Sequence, residues 1–252
     1  MNPMSYKEIT LSYYESWLGN QGCITNESGD YFIYSSERNI KQSGYSMPID
    51  IYVWLQSDKI VISYGDAAKA KIDELKSKLI NGQDVSYITS LLFNIYHCDI
   101  RHDIKYIFES LPDRPVKNGA RTLKIDDYCD FEKFFYFCNP DTENIDWLRE
   151  YFYNMVQLGY CVGVYENGIL VSCTDAPSMP YMSDKVQEIG ISTLLGYRGK
   201  GYATIACIKA EENILSSGKV PLWSTTIDNI ASQRLAERIG FKKIADVFTL
   251  EI

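Results

Sequence analysis

The sequence predicts a protein of the α/β (α+β) class, in which helices flank a mixed β-sheet. The main observation is the order of apolar segments after residue 118, which reads β-α-α-β-β-β-α-β-α-β. Glu166-Asn167-Gly168 separates two strand-like runs and is a strong hairpin signal. Residues 203–214 place small and apolar side chains at helical spacing. A smaller α+β region precedes these elements.

The region before residue 111 mixes helices with strands. Turn and period signals predict a helix over 5–18, strands over 31–34, 51–55 and 60–64, a helix over 67–80 capped by Asp66 and ended at Asn81-Gly82, and one or two helices within 85–110. This region contains no catalytic motif, and packing explains its aromatic residues better than ligand binding does. It therefore indicates no chemistry by itself.

The order after residue 118 is clearer. The predicted elements are a strand over 121–125, helices over 127–137 and 143–158, hairpin strands over 160–165 and 169–174, a strand over 186–194, a helix over 201–217, a strand over 220–226, a helix over 230–239 and closing strands over 242–251. The two helices within 128–153 are rich in aromatic and acidic residues. Packing on the sheet is the favoured interpretation, and an aromatic, acidic wall for a cationic amine is the alternative.

A domain boundary is predicted at Leu111 to Gly119, where two prolines, an Asn-Gly pair and charged residues interrupt the periodic segments. We therefore expect an N-terminal α+β domain over 1–118 and a second domain over 119–252.

Composition excludes several classes of protein. The 252 residues are 46% hydrophobic and 23% charged, which is typical of a globular protein. The formal net charge of −8 and the lack of a Lys/Arg stripe argue against nucleic-acid binding and favour a cationic substrate such as an amine. No segment is apolar enough for a membrane span, and the first residues do not resemble a secretory signal. A cytoplasmic location is the resulting expectation.

Cysteine and histidine usage predicts a protein without disulfides and without a metal site. Seven cysteines without a Cys-x-x-Cys pair are expected to be reduced thiols. His97, Cys98 and His102 resemble half of a metal site, but no second cluster completes it, so no metal is expected.

The segment that carries chemistry is Leu195-Gly196-Tyr197-Arg198-Gly199-Lys200-Gly201-Tyr202-Ala203-Thr204, between a strand and a helix. Backbone N–H groups at a helix N-terminus favour an anion. Gly199 and Gly201 let a phosphate approach the backbone, and Arg198 and Lys200 add positive charge. A P-loop would need Lys-Ser/Thr after Gly201 and is not present. A tight turn that merely requires glycines is the structural alternative.

Two motifs in this order resemble the GNAT superfamily of acyl-CoA-dependent N-acyltransferases. Arg198-x-x-Gly201-x-Ala203 is similar to its pyrophosphate loop, and the segment from Asn229 to Phe241 is similar to its Asn-x-x-Ser/Ala…Leu…Gly-Phe segment. The resemblance covers about 119–252 and implies a mostly antiparallel sheet. It also implies acetyl-CoA as the acyl donor.

The resemblance assigns roles residue by residue. The pyrophosphate would be bound at Arg198, Gly199, Lys200, Gly201, Tyr202, Ala203 and Thr204, chiefly through backbone amides. The pantetheine arm would pair with the strand end at Ile191, Ser192 and Thr193, and one N–H there would polarise the thioester carbonyl. Asn229 and Ser232 would contact the pantetheine or nucleotide side. A helix N-cap explains Asn229 equally well.

The amine must lose a proton before or during its attack, and Glu188 is the candidate base because it lies on the strand entering the loop, among apolar neighbours. A solvent-facing glutamate is the alternative. Two positions depart from the family pattern: Ser224 stands where many members have a carboxylate, and Ala236 where many have a tyrosine acid. Tyr202 and Tyr181 are the nearest replacements for that acid.

The resemblance implies an N-acetyltransferase that moves an acetyl group from acetyl-CoA to a small-molecule or peptide amine. The alternative is a non-catalytic acyl-CoA-binding or interaction protein on a GNAT-like scaffold. The N-terminal region is expected to narrow the acceptor cleft, no nucleic acid or membrane is expected as a partner, and a homodimer is left open.

Overall fold

The computed structural model describes residues 4–26, 29–42, 47–79, 84–112 and 119–252. Most of the predicted boundary at 111–119, and the predicted helix end at Asn81-Gly82, therefore lie outside the described residues.

The described strands and helices follow the chain in this order. The strands are β1 (Gly29–Tyr34), β2 (Ile51–Gln56), β3 (Lys59–Tyr64), β4 (Ile100–Phe108), β5 (Ala120–Thr122), β6 (Val162–Glu166), β7 (Ile169–Asp175), β8 (Val186–Glu188), β9 (Gly190–Thr193), β10 (Val220–Thr226) and β11 (Phe241–Leu250). The α-helices are α1 (Tyr6–Leu18), α2 (Ile72–Lys78), α3 (Val85–Tyr96), α4 (Tyr128–Cys138), α5 (Leu148–Leu158), α6 (Tyr202–Ser216) and α7 (Ile230–Arg238).

The strands form two sheets. The larger has the order β1-β3-β2-β11-β4-β10-β8 and the smaller has the order β5-β6-β7-β9. Only β1–β3 and β8–β10 pair in parallel among the described strands. The mixed, mostly antiparallel sheet with flanking helices confirms the predicted fold class.

Alternation along β2 buries both faces of the larger sheet. Tyr52 and Trp54 belong to the core beneath α1, whereas Ile51, Val53 and Leu55 belong to the core beneath α2 and α3. Successive side chains of a strand point to opposite faces, so one strand serves both cores. Since α1 also contacts β4, β8 and β10, the N-terminal helix lies against the strands that carry the site described below.

The larger sheet combines strands from both sides of the predicted boundary. β4 lies between β11 and β10, paired with both in antiparallel register. Ile104, Tyr106 and Phe108 on β4 are buried in the same core cluster as the side chains of α4, α5 and α6. The division into 1–118 and 119–252 stays a prediction, but the two parts share a sheet and a core.

Two expectations for the N-terminal region were wrong. Residues 100–108 form β4 instead of a helix, because α3 ends at His97, whose backbone is left-handed (φ 56°), and the chain then pairs with β11. Asp66 does not cap a helix: its carboxylate accepts hydrogen bonds from Tyr34 Oη (3.0 Å) and Asn39 Nδ2 (2.9 Å). The α-helix begins only at Ile72.

One buried acid makes stability depend on pH. Glu211 on α6 is fully buried, and neither of its carboxyl oxygens has a hydrogen-bond partner in the described part of the chain. Burial, with a smaller contribution from Glu212, raises the pKa of Glu211 to about 9. The folded protein therefore holds this proton more tightly than the unfolded chain. This contribution to stability is complete below the ordinary carboxyl pKa and is lost as the pH rises toward 9.

We expect Glu211→Gln to reduce the loss of stability with rising pH. Between pH 5 and 8.5 the free energy of unfolding of the unaltered protein should fall, relative to the variant, by on the order of 3 kcal/mol. Urea denaturation at the two pH values measures the difference. Glu212→Gln is the matched control, because Glu212 is only half-buried and pairs with Lys209 (2.9 Å). Equal pH dependence of the Glu211→Gln variant and the unaltered protein would contradict this account.

Candidate active site

The predicted strand over 186–194 is two strands that belong to different sheets, and this break creates the site. β8 pairs with β10 as far as Leu222, and the Ile189 N–H donates to the Leu222 carbonyl (3.2 Å). β9 then turns away to pair with β7, while β10 continues beside β4. A wedge therefore opens between β9 and β10, and both strands present unpaired edges to it within the described residues.

A cleft of about 690 Å³ occupies this wedge. Its lining combines the two diverging strands, the start of α6 and one face of α7: Ile189, Gly190, Ile191, Ser192, Thr193, Tyr197, Arg198, Gly199, Gly201, Tyr202, Ala203, Thr204, Trp223, Ser224, Thr225, Asn229, Ala231, Ser232, Arg234, Leu235 and Arg238. The structure thus brings together most of the residues that the sequence motifs selected.

The turn into α6 depends on two glycines. Gly199 and Gly201 have left-handed backbones, with φ of +77° and +87°, which other residues adopt only with strain. Upstream, the Arg198 Nε donates to the Thr193 carbonyl (3.1 Å) and fixes the turn to the end of β9. A Cβ at either glycine would meet no atom within 4 Å, so the space beside the backbone is open.

The backbone N–H groups of this turn have no partner among the residues that the structure describes. Within residues 119–252, no hydrogen bond uses the N–H of any residue from Gly199 to Thr204, and the first helical bond of α6 runs from Ile205 N to Gly201 O (3.3 Å). The first N–H groups of a helix lack intrahelical acceptors, and the helix dipole adds partial positive charge there. All of these residues except Lys200 line the cleft, so this corner is suited to an anion.

The charged side chains of the turn have other partners. Lys200 Nζ lies 3.4 Å from the Glu166 carboxylate on the β6–β7 hairpin, and the Tyr202 hydroxyl donates to the same residue. The Lys200 side chain therefore points away from the cleft lining, although its backbone N–H remains unpaired. Arg234 and Arg238 on α7 line the cleft instead. Their spacing of four residues, which places them on one helical face, was the signal available in the sequence.

Asn229 and Ser232 reach the cleft from α7. The Asn229 Oδ1 accepts the Ser232 N–H (3.1 Å), so Asn229 is the helix N-cap. The Ser232 hydroxyl accepts the Trp223 Nε1–H (3.2 Å), which ties α7 to β10. Both residues line the cleft, and their predicted contact with a ligand stays a prediction.

Glu188 is the last residue of β8, immediately before the wedge opens. It is half-buried, and its Oε1 accepts a hydrogen bond from the Ser224 hydroxyl, which itself lines the cleft. Ser224, which replaces the carboxylate of many family members, thus orients the remaining one. Sequence reasoning missed a second acid: burial, followed by the charge of Glu188, raises the pKa of Asp175 to about 6.

The charges of Glu188 and Asp175 each act on a nearby tyrosine hydroxyl. Burial and Glu188 raise the pKa of Tyr14 on α1, and burial and Asp175 raise that of Tyr151 on α5. Neither of the two suggested general acids is free, because the Tyr202 hydroxyl is bound to Glu166 and the Tyr181 hydroxyl donates to Glu37 (3.3 Å).

Ala236 lies fully buried in the core and can supply no proton. Among the described residues no group of three or more His, Cys, Asp and Glu is placed to hold a metal. In the same part of the chain, each helix is too short or too polar to cross a bilayer.

The fold, a mixed sheet that splits at one strand beside a helix start suited to an anion, is of the GNAT type. Residues 134–247 match the family model of GNAT acetyltransferases, in the part of the chain where the two motifs lie. No curated protein matches the chain.

One solved structure supports this fold, and two further structures are similar to parts of the chain. A GNAT-family acetyltransferase from Colwellia psychrerythraea is 16% identical, with a TM-score of 0.52 over 72% of this chain and 70% of that one. A GCN5-related N-acetyltransferase from Sphaerobacter thermophilus is 16% identical, with a TM-score of 0.49 over 65% and 55%. A Salmonella typhimurium protein described as an acetyltransferase, solved with its cofactor acetyl-CoA, is 17% identical, with a TM-score of 0.44 over 53% and 92%.

Proposed function

We propose that this protein is an N-acetyltransferase that moves an acetyl group from acetyl-CoA directly to an amine. The observation that carries this proposal is the run of unpartnered backbone N–H groups from Gly199 to Thr204 beside an open cleft. A diphosphate offers several acceptor oxygens with negative charge, which is the chemistry such a corner selects. The family match of residues 134–247 supports the same donor.

The residues present fit coenzyme A in two places. The turn at 199–204 would hold the diphosphate, with Arg234 and Arg238 adding positive charge on the opposite wall. The free edge of β9, at Ile191, Ser192 and Thr193, would hydrogen-bond the amide-bearing pantetheine arm in the manner of a strand. Acetyl-CoA would supply the activated acetyl thioester.

Glu188 is placed to receive the proton of the acceptor. It ends β8 at the mouth of the wedge, and Ser224 holds one of its oxygens. A backbone N–H of β9 would polarise the thioester carbonyl. With Ala236 buried, no side chain is assigned to protonate the departing thiolate. A thiol with a pKa near 8.5 is an acceptable leaving group without one.

The N-terminal region would form one wall of the acceptor side. α1 contacts β8 and β10, and Tyr14 on α1 lies close enough to Glu188 for that charge to raise its pKa. A carboxylate at this point suits a cationic amine, on a small molecule or a peptide. The cytoplasmic location and the homodimer stay predictions.

Calorimetric titration with coenzyme A and a thiol-release assay test the proposal. The assay uses acetyl-CoA with spermidine, kanamycin, a peptide with a free N-terminus and Nα-acetyl-lysine as acceptors. We expect coenzyme A binding and acetylation of at least one amine. Failure to bind coenzyme A would contradict the proposal.

A second candidate function follows from Ser224 and Ala236, which replace two groups that many family members use. The protein would then be a non-catalytic acyl-CoA-binding protein. Binding of coenzyme A with no thiol release above the rate without protein, for every acceptor, would favour this candidate.

The strained glycine at the start of α6 gives a matched pair of variants. Gly201→Ala should cost about 1–2 kcal/mol of stability because of its φ of +87°, and should raise the Kd of coenzyme A about tenfold by shifting the N–H groups. Gly218→Ala should lose about as much stability, because Gly218 has a φ of +80° and also borders open space. Gly218 follows α6 and does not line the cleft. Calorimetry of both variants separates the two effects. Equal Kd values would contradict binding of the diphosphate by the backbone N–H groups from Gly199 to Thr204.

A further inference from the structure

The carboxylate of Asp175 lies at the point where the cleft opens. Asp175 ends β7, and the β7–β9 register places it opposite Gly190, the first residue of β9. A Cβ on Gly190 would come 1.8 Å from Asp175 Oδ1. The carboxylate therefore lies directly over the Gly190 Cα, in space that only glycine leaves open. Gly190 itself lines the cleft.

No group in the described part of the chain neutralises this carboxylate. Across the described residues, no hydrogen bond or ion pair involves the Asp175 side chain, and the Glu188 side chain has only the Ser224 hydroxyl. Each of the two carboxylates thus lies against a residue that lines the cleft, Asp175 against Gly190 and Glu188 against Ser224, with no cation of the described residues beside them. Such groups are costly to bury unless a positive charge compensates them.

The groups around Asp175 leave the acid form of this residue unusually stable. The titratable groups that face it are Glu188 on β8, Tyr151 on α5, Cys173 on its own strand and Cys207 on α6. None of them is cationic. Burial and the Glu188 charge raise the pKa of Asp175 to about 6, so it can release and take up a proton near neutral pH.

We infer that Asp175 is a second carboxylate of the acceptor site, which together with Glu188 binds the ammonium form of a cationic amine and takes its proton. This inference rests on the proposed function. In the step, one N–H bond of the ammonium breaks and an O–H bond forms on the carboxylate pair. The freed nitrogen lone pair then forms the C–N bond as the C–S bond breaks. The N-acylated nitrogen loses its second proton to solvent, the departing thiolate takes up a proton from solvent, and the carboxylate returns its own proton to solvent.

The pair of carboxylates predicts a class of acceptor. Two negative charges favour an amine that is positively charged in solution over a weakly basic aromatic amine. Aniline is the matched poor substrate for a comparison with spermidine.

The test is a pH profile of kcat/KM from pH 5 to 8 in the full chain, for Asp175→Asn, Glu188→Gln and the exposed control Glu143→Gln. In the unaltered protein we expect kcat/KM to fall below about pH 6, where Asp175 becomes protonated. Asp175→Asn should lower kcat/KM about tenfold or more and abolish its decrease below about pH 6, while coenzyme A still binds. Glu143→Gln should change neither the value of kcat/KM nor its dependence on pH.

The outcomes separate the inference from the proposed function. If Glu188→Gln loses turnover while Asp175→Asn keeps the full rate and the same acid limb, the role of Asp175 is overturned and the enzyme remains. If the unaltered protein acetylates no amine, the proposed function fails instead.

A measurement on the unaltered protein keeps the inference testable in that case, and also if Asp175→Asn does not fold. The ¹³C carboxyl resonance of Asp175 should titrate near pH 6 and shift on addition of spermidine. A resonance that no amine of the panel moves would overturn the inference.

Discussion

Glu188→Gln should lower kcat for amine acetylation by about 100- to 10,000-fold, the range that a positioned proton acceptor contributes. The amide keeps the shape of the side chain but cannot take the proton of an ammonium group. Because Glu188 ends β8 and does not line the diphosphate corner, the Kd of coenzyme A should change by no more than about twofold. Steady-state kinetics and calorimetry on the same preparation measure the two effects.

Ser224→Ala provides the graded comparison. Removing the hydroxyl that orients Glu188 leaves the base in place but less fixed, so kcat should fall about 3- to 10-fold. An unaltered kcat in Glu188→Gln, with Ser224→Ala equally active, would show that another group accepts the proton.

Residues 119–252 expressed alone should not fold. The fragment lacks β4, which lies between β10 and β11 in the larger sheet. Without it both strands lose a partner, and the core loses Tyr106 and Phe108, each almost fully buried. Truncating one such aromatic side chain alone costs about 3–5 kcal/mol, which is comparable to the whole stability of a domain. Circular dichroism and urea denaturation of the fragment, compared with the full chain, measure the loss.

Co-expression of residues 1–112 with 119–252 is the control. The two pieces should co-purify and bind coenzyme A, because β4 can still pair with β10 and β11 when the chain is cut. A cooperative unfolding transition in 119–252 alone would show that the predicted boundary separates independent domains.

The local parts of the fold were predictable from the sequence. Asn167 and Gly168 both adopt left-handed backbones in the predicted hairpin turn, since these residue types tolerate them. The glycines at 199 and 201 marked the turn into α6 for the same reason. The order of strands and helices after residue 118, together with the two motifs, was enough to predict the fold class and the residues of the turn into α6.

The features that depend on distant pairing were not predictable. The residues of β4 were expected to be helical. Their alternation of apolar side chains at Ile104, Tyr106 and Phe108 identifies a strand only when the pairing with β11 is known. The break at Ile189 has no turn residue of its own before Gly190 and arises because the flanking strands join different sheets. Asp175 gained its significance only from its place opposite Gly190, fifteen residues later in the chain.

The central claim is that the unpaired N–H groups at the start of α6 bind the diphosphate of coenzyme A. ¹H–¹⁵N correlation spectra of the full chain, recorded while coenzyme A is added, test it most directly. The amide resonances from Gly199 to Thr204 should move downfield and saturate together with the calorimetric binding curve, while that of Gly218 stays in place. If coenzyme A binds and these six amides remain unshifted, the diphosphate lies elsewhere and the account of the site is wrong.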